Sequence, residues 1–189
     1  MPTPPNDASE QRDAPMREDR AIHHANFDDT FVALFDTHYP RLFRYLDRLT
    51  GDPDLAADMS QDALIRLYRR GAVPDVPGAW LVSVAMNLLR NTLSTQHRRR
   101  RLLTVERGER AHSDAHPASD AGVLSRETRD RVRKALDALP ERDKRMLLLR
   151  GEGYSYREIA IALDMHEASM GTLLARAQRE FRQRYGDNT

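Results

Sequence analysis

Cysteine is absent from the 189-residue chain, which excludes a disulfide framework, a thiolate zinc site and a catalytic thiol. Aromatic residues amount to only 6%, with one tryptophan, and apolar residues to 40%, so part of the chain should lie outside any packed core. No apolar run approaches the roughly 18 residues of a membrane span, and the N-terminal MPTPPNDASEQRDAPMRED lacks the apolar stretch of a signal peptide. No membrane insertion and a cytoplasmic location are therefore expected. Phosphate-loop, Gly-x-Ser-x-Gly and HExxH motifs are missing as well. The histidines are scattered: His112 and His116 have ligand-like spacing but sit in a polar stretch with no firm helix, and His23 and His24 adjoin a proline-rich tail. The expectation is no catalytic residue, no metal site, no cofactor and no enzyme.

What is present is segregated charge. The net charge is +1, yet residues 27–80 carry 6 basic and 9 acidic side chains, 81–103 carry 5 and none, and 131–189 carry 12 and 9. Of the 30 cations 28 are arginine, the residue suited to phosphate and base-edge recognition, although genomic base composition also raises arginine usage.

Residues 1–26, charged and rich in proline, read as a disordered tail. From Phe27 the pattern is helical, with Phe31, Leu34, Phe35, His38, Leu42, Tyr45, Leu46 and Leu49 at steps of three and four. Pro40 should kink or break this helix after Tyr39, and Gly51 should end it. Asp52-Pro53 has the form of an N-cap followed by proline at the first helical position, opening a helix to about Tyr68 with Leu55, Met59, Ala63 and Leu67 inward. A loop, GAVPDVPG (71–78), precedes a third helix from near Ala79. Trp80, Leu81, Val84, Ala85, Leu88 and Leu89 make that helix apolar on most sides, hence the buried centre of a small bundle; it ends in the basic run at 97–101. The polar, small-residue stretch 104–124 is a linker. Further helices are expected over 125–139, 140–150, 156–163 and 167–185, with a tail at 186–189. The fold class is all-α: two small helical domains, 27–103 and 125–185, joined by a flexible linker.

Three constellations carry function. The segment SYREIAIALDMHEASMGTLLARAQREFR (155–182) has apolar or small residues at Ile159, Ala160, Leu163, Met165, Met170 and Leu173, the spacing of a helix-turn-helix. Asp164 stands where such turns usually have glycine, and aspartate tolerates the left-handed conformation better than most residues. The second helix would present His166, Glu167, Ala168, Gly171, Thr172 and Ala175 to a major groove, with Arg176, Arg179 and Arg182 near phosphates; a plain helical hairpin has nearly the same pattern. Asp54, Asp58 and Asp62 repeat every fourth residue on one face, with Gln61 alongside and Arg66 and Arg70 beyond. This is either a solvated face with ion pairs worth a few tenths of a kcal/mol or an acidic docking surface for a basic partner. The arginines at 98–101 are either a solvated end or a nucleic-acid patch, and Asn87, within the apolar run, reads as a buried polar residue with a local partner.

In this order, the features resemble the extracytoplasmic-function (group 4) class of sigma-70 RNA polymerase sigma factors. FVALFDTHYPRLFRYLDRLTGD, DLAADMSQDALIRLYRR and PGAWLVSVAMNLLRN with its following arginines look like the family's region 2; ALDALPERDKRMLLLRGEGYSYREIAIALDM looks like the start of region 4. The resemblance implies that Asp54, Asp58, Gln61 and Asp62 dock on the clamp helices of the polymerase β′ subunit. It implies that loop 71–78 and the helix from Trp80 to Arg90 open and read the −10 element, with Trp80, Asn87, Arg90, Arg98 and Arg99 contacting single-stranded DNA, and a flipped base needs such a pocket and such cations. Arg157, Glu167, Ser169, Gly171, Thr172, Arg176 and Arg179 would read the −35 element, the linker would thread the polymerase, and region 4 would meet the β flap. Core RNA polymerase and promoter DNA are thus the implied partners, and an anti-sigma factor is the family's usual further one.

The chain departs from the family where Ser169-Met170-Gly171-Thr172-Leu173-Leu174 replaces the commoner Thr-Val-Lys-Ser-Arg-Leu, so that Gly171 and Leu173 stand in place of cations, as does Gln178. Each lost phosphate contact should shallow the salt dependence of binding by about one unit of slope. Ala57 replaces a frequent glutamate, while Asp58 and Asp62 keep the charge of the docking face. Two other readings remain open on the residues: a helix-turn-helix regulator that binds duplex operators without joining the polymerase, and a sigma-like decoy.

Overall fold

A computed structural model describes residues 14–106 and 123–187, with side chains placed over 27–96 and 127–186. Among the described residues seven α-helices follow in order: α1 (Ala14–Thr50), α2 (Pro53–Arg70), α3 (Pro77–Glu106), α4 (Val123–Asp137), α5 (Glu141–Gly151), α6 (Tyr156–Ala162) and α7 (Met170–Asp187), the last entered through a 3-10 turn, Glu167–Ser169. No strand occurs among the described residues.

Two expectations for α1 are corrected. Residues 14–26, read as part of the tail, are helical, and Pro15 falls in the first turn, where its missing N–H would have had no intrahelical partner. Pro40 does not break the helix, which runs unbroken from Ala14 to Thr50. A proline inside a helix costs about 3 kcal/mol. Directly after it, however, Leu42, Tyr45 and Leu46 are fully buried, and each such side chain contributes about 1.5–3 kcal/mol. Tertiary packing outweighs the lost hydrogen bond. One member of the expected apolar stripe turns outward: Phe35 is exposed and stacks on Tyr39 with ring centroids 5.1 Å apart.

Helix α2 begins as its sequence suggests: Asp52 accepts from the Leu55 N–H at 3.0 Å with Pro53 behind it, and Gly71 closes the helix at φ 67°. Its buried side carries Ala56, Met59, Ala63, Leu64 and Leu67 against α1, where Phe31 meets Tyr68 edge-on at 5.0 Å. Helix α3 buries Leu81, Val82, Ala85, Met86, Leu88 and Leu89. It starts two residues before the expected Ala79 and continues to Glu106; the remainder of the expected linker, 107–122, lies outside the described residues, as do 1–13 and 188–189.

In the C-terminal half, α5 and α6 end in the same device. Gly153 (φ 83°) follows α5, and the Tyr154 N–H returns to Leu149 O at 3.1 Å; Asp164 (φ 53°) follows α6, and the Met165 N–H returns to Ala160 O at 2.8 Å. A left-handed residue thus satisfies carbonyls that the helix end leaves free. The apolar core is continuous across both halves, from Leu42 and Leu81 to Met146, Ile159 and Leu174, and α1 and α3 of the first half touch α5 and α6 of the second.

Candidate nucleic-acid and docking surfaces

The acidic face of α2 exists because the other side of the helix is committed to the core. Asp54, Asp58, Gln61 and Asp62 are all exposed, and Ile65, 44% exposed, lies one turn beyond Gln61 on the same face. Among the described residues no ion pair engages the three aspartates, so the face is not internally neutralised by Arg66 or Arg70.

On α3, burial of the apolar side turns Asn87 and Arg90 outward, and Arg90 Nη1 donates to Asn87 Oδ1 at 3.4 Å. Asn87 is therefore not a buried polar residue. Trp80 is half-buried against the core, with the Arg70 guanidinium 5.8 Å from its ring centroid, a cation–π arrangement. Arg98 and Arg99 continue the same helix, but their side chains lie outside the described residues.

The helix-turn-helix is built from α6, the left-handed turn at Asp164 and α7. Ser155 and Glu158 form a reciprocal capping box, with Ser155 N donating to Glu158 Oε2 at 2.7 Å and Glu158 N to Ser155 Oγ at 3.2 Å. Met170, Leu174 and Ala177 anchor α7, leaving Glu167, Ser169, Gly171, Thr172, Arg176 and Arg179 exposed, with Arg157 exposed on α6. Arg176 is not a free cation: its Nη2 lies 3.5 Å from Oδ2 of Asp143, whose carboxylate is buried. With Arg179 and Arg182 it lines a groove along α7. Gly171 has no steric reason to be glycine, since a Cβ there would meet only the Tyr156 ring, at 3.8 Å.

Between the halves lies a cleft of about 410 Å³, with Asn87 and Arg90 on one wall and Arg142, Arg145, Ile161 and Asp164 on the other. Beside it is a charged contact that sequence reasoning missed. Glu152, buried, receives Arg44 Nε on Oε2 at 2.7 Å and has Arg48 Nη1 2.5 Å from Oε1. Arg41 Nε donates to the Glu152 carbonyl at 3.1 Å, its guanidinium lies 4.2 Å from the Tyr154 ring centroid, and its Nη2 is 3.8 Å from Glu158. The available signal was the spacing of Arg41, Arg44 and Arg48, which puts three cations on one face of α1. Burial shapes the neighbouring titrations: desolvation, then the Arg41 charge, hold His38 below its usual value against the opposing Glu158 charge, and desolvation pushes the Tyr45 and Tyr154 phenols up.

Among the described residues no cluster of three or more His, Asp or Glu is arranged to hold a metal ion, and no helix is long and apolar enough to cross a membrane.

Residues 34–99 match the family described as Sigma-70 region 2, and residues 129–180 match Sigma-70, region 4. The RNA polymerase sigma factor CarQ of Myxococcus xanthus is 30% identical over 162 residues, covering 81% of this chain and 86% of CarQ. The ECF RNA polymerase sigma factor SigL of Mycobacterium tuberculosis is 29% identical over 167 residues, covering 79% of this chain and 85% of SigL. Among solved structures, the sigma factor RpoE of Bartonella quintana, determined in complex with the anti-sigma factor NepR, shares the fold: TM-score 0.55 at 21% identity, over 84% of this chain and 96% of RpoE. With both regions matched in order on an all-α chain, this protein belongs to the extracytoplasmic-function class of the sigma-70 family.

Proposed function

We propose that the protein is an alternative sigma factor that docks on core RNA polymerase through α2, reads and helps melt the −10 element with α3 and the loop before it, and reads the −35 element with α7. The nucleotidyl transfer belongs to the polymerase; this chain contributes selection and strand separation, not catalysis. The observation that carries the docking assignment is the α2 face: three exposed carboxylates with no ion-pair partner among the described residues, followed on the same face by an exposed isoleucine. Unpaired charge steers a basic partner, and the apolar side chain gives the contact a centre. For α3, a rigid apolar core behind Asn87 and Arg90 suits single-strand capture, which needs cations held in place while bases leave the stack. An anti-sigma partner covering the α2 and α3 surfaces fits the same reading; RpoE, which shares this fold, was determined with an anti-sigma factor bound.

Run-off transcription with core polymerase and a fragmented genomic library tests this. Discrete transcripts should appear only when the protein is added, and Asp58→Arg should reduce them about tenfold or more while leaving helix content by circular dichroism unchanged. Binding of duplex fragments without any new transcript from active core would overturn the assignment in favour of an operator-binding regulator.

A further inference from the structure

Helix α7 has few side chains with which to tell one base from another. Its first two turns, residues 170–177, read MGTLLARA. Met170, Leu174 and Ala177 are buried and Leu173 is half-buried, so the helix exposes Gly171, Thr172, Ala175 and Arg176 there. Of these four side chains only the Thr172 hydroxyl and the Arg176 guanidinium can form hydrogen bonds. Discrimination by these turns is therefore concentrated on one threonine and one arginine.

Arg176 differs from the cations that follow it. Arg179 and Arg182 are exposed and, among the described residues, have no ion-pair partner. Arg176 is held from behind by Asp143, in the first turn of α5, whose side chain is only 2% exposed. Asp143 Oδ2 lies 3.5 Å from Arg176 Nη2, and Oδ1 accepts from Arg142 Nε at 3.4 Å. A carboxylate in the first turn of a helix faces free N–H groups and the positive end of the helix dipole, and Pro140 before α5 supplies no side-chain cap. Asp143 is thus tied to α5 by its place in the helix and to α7 by Arg176. Burial fixes the carboxylate, while the side chain that it holds is 52% exposed. Only Nη2 is engaged, so the remaining guanidinium donors leave an edge open for another partner.

We propose that Asp143 is a positioning residue for promoter recognition: it presents the open edge of the Arg176 guanidinium to the major groove, where that edge reads one guanine through O6 and N7. An exposed arginine on a helix samples many rotamers, and ordering it on DNA costs that freedom. One tied to a buried carboxylate has given the freedom up before DNA arrives. A planar fork held in this way suits a bidentate base contact, whereas the unheld Arg179 and Arg182 suit phosphates. Asp143 itself offers no attraction to DNA, so its part is selectivity and not general affinity. The inference rests on the reading of the −35 element by α7, to which it adds the residue that sets its specificity.

The test uses holoenzyme assembled from core polymerase and the full-length chain. It selects from a duplex pool built on a promoter found by run-off transcription, with the −35 segment randomised, and the bound fragments are sequenced. The wild type should prefer G·C at one base pair. Arg176→Lys keeps the charge but not the fork, and should lower that preference about tenfold. Asp143→Asn should lower it at the same base pair by about threefold or more, leave the other positions unchanged, and not weaken binding to a non-promoter duplex. On the Arg176→Lys background Asp143→Asn should have no further effect on preference, a coupling that a purely structural role would not produce. Arg179→Ala is the contrast: it should weaken all sequences alike and shallow the salt dependence by about one unit of slope. Undiminished G·C preference in Asp143→Asn, or a loss spread evenly over the segment, would overturn the positioning role while α7 remained the −35 reader. Arg176→Lys changes only a surface side chain, so an unchanged preference there overturns the proposal even where Asp143→Asn fails to fold. A wild-type holoenzyme with no −35 preference at all would overturn both the proposal and the reading beneath it.

Discussion

The two helices proposed to meet DNA, α3 and α7, are mounted in opposite ways. Helix α3 buries six apolar side chains between Leu81 and Leu89 and turns out only a narrow strip with Asn87 and Arg90. Helix α7 is anchored by Met170, Leu174 and Ala177 and leaves most of its circumference in solvent. The first is the core of its domain as well as the proposed −10 surface; the second is a surface element on a small footing. Base flipping places force on the protein, and a rigid helix resists it. Duplex reading asks only that a helix lie in a groove, and a light anchor leaves its surface free to vary. Substitutions in α3 should therefore couple stability to function, while those in α7 should separate them.

The largest expected effect comes from breaking the core side of this comparison. Leu81 is fully buried in α3, and Leu81→Ala should cost about 2–5 kcal/mol through lost transfer energy and a residual cavity. Urea unfolding followed by circular dichroism reads this as a lower midpoint at unchanged slope. A loss below about 1 kcal/mol would mean that α3 is not the structural centre.

A smaller effect of opposite sign is expected in α7. The would-be Cβ of Gly171 meets only the Tyr156 ring at ordinary contact distance, and its backbone is not left-handed, so Gly171→Ala should stabilise the protein by about 0.5–1 kcal/mol. If the bare backbone approaches DNA closely, the same substitution should weaken −35-dependent transcription despite the gain. Parallel thermal unfolding and run-off assays would separate the two. A variant that is both more stable and equally active would show that the glycine has no reading role.

Much of this architecture was legible because it is local. The Asp52 cap, the Gly51 stop and the left-handed turn at Asp164 depend on residues within one or two turns, and the four-residue spacing of Asp54, Asp58 and Asp62 placed them on one exposed face. What was not legible depends on distant partners. The passage of α1 through Pro40 is decided by packing against α2, and the outward turn of Phe35 by where that packing stops. Asn87 stood in an apolar run that could bury it or expose it, and only the seating of α3 decided. The tether of Arg176 to Asp143 and the grip of three α1 arginines on Glu152 join positions 33 and more than 100 residues apart, and no periodicity in either segment announces its partner.

The smallest expected effect lies at the boundary between the two mountings. His38 is buried in α1 close to Gly78 of α3, with Arg41 on its own helix and Glu158 reaching it from α6. Burial is the main cause of its lowered pKa, with Arg41 adding to it and Glu158 opposing. The folded state therefore holds His38 neutral at a pH where the unfolded chain, with a value near 6.5, takes up a proton. The unfolded state binds more protons in that window, so stability rises with pH. The contribution is complete above the unfolded value and is lost as pH falls below it, with a slope of at most about 1.4 kcal/mol per pH unit. Urea midpoints at pH 7.5 and 5.5 should differ more for the wild type than for His38→Gln, because the carboxylates common to both chains cancel in the comparison. Equal differences would mean that His38 is solvated, and hence that the junction of α1, α3 and α6 stands open in solution.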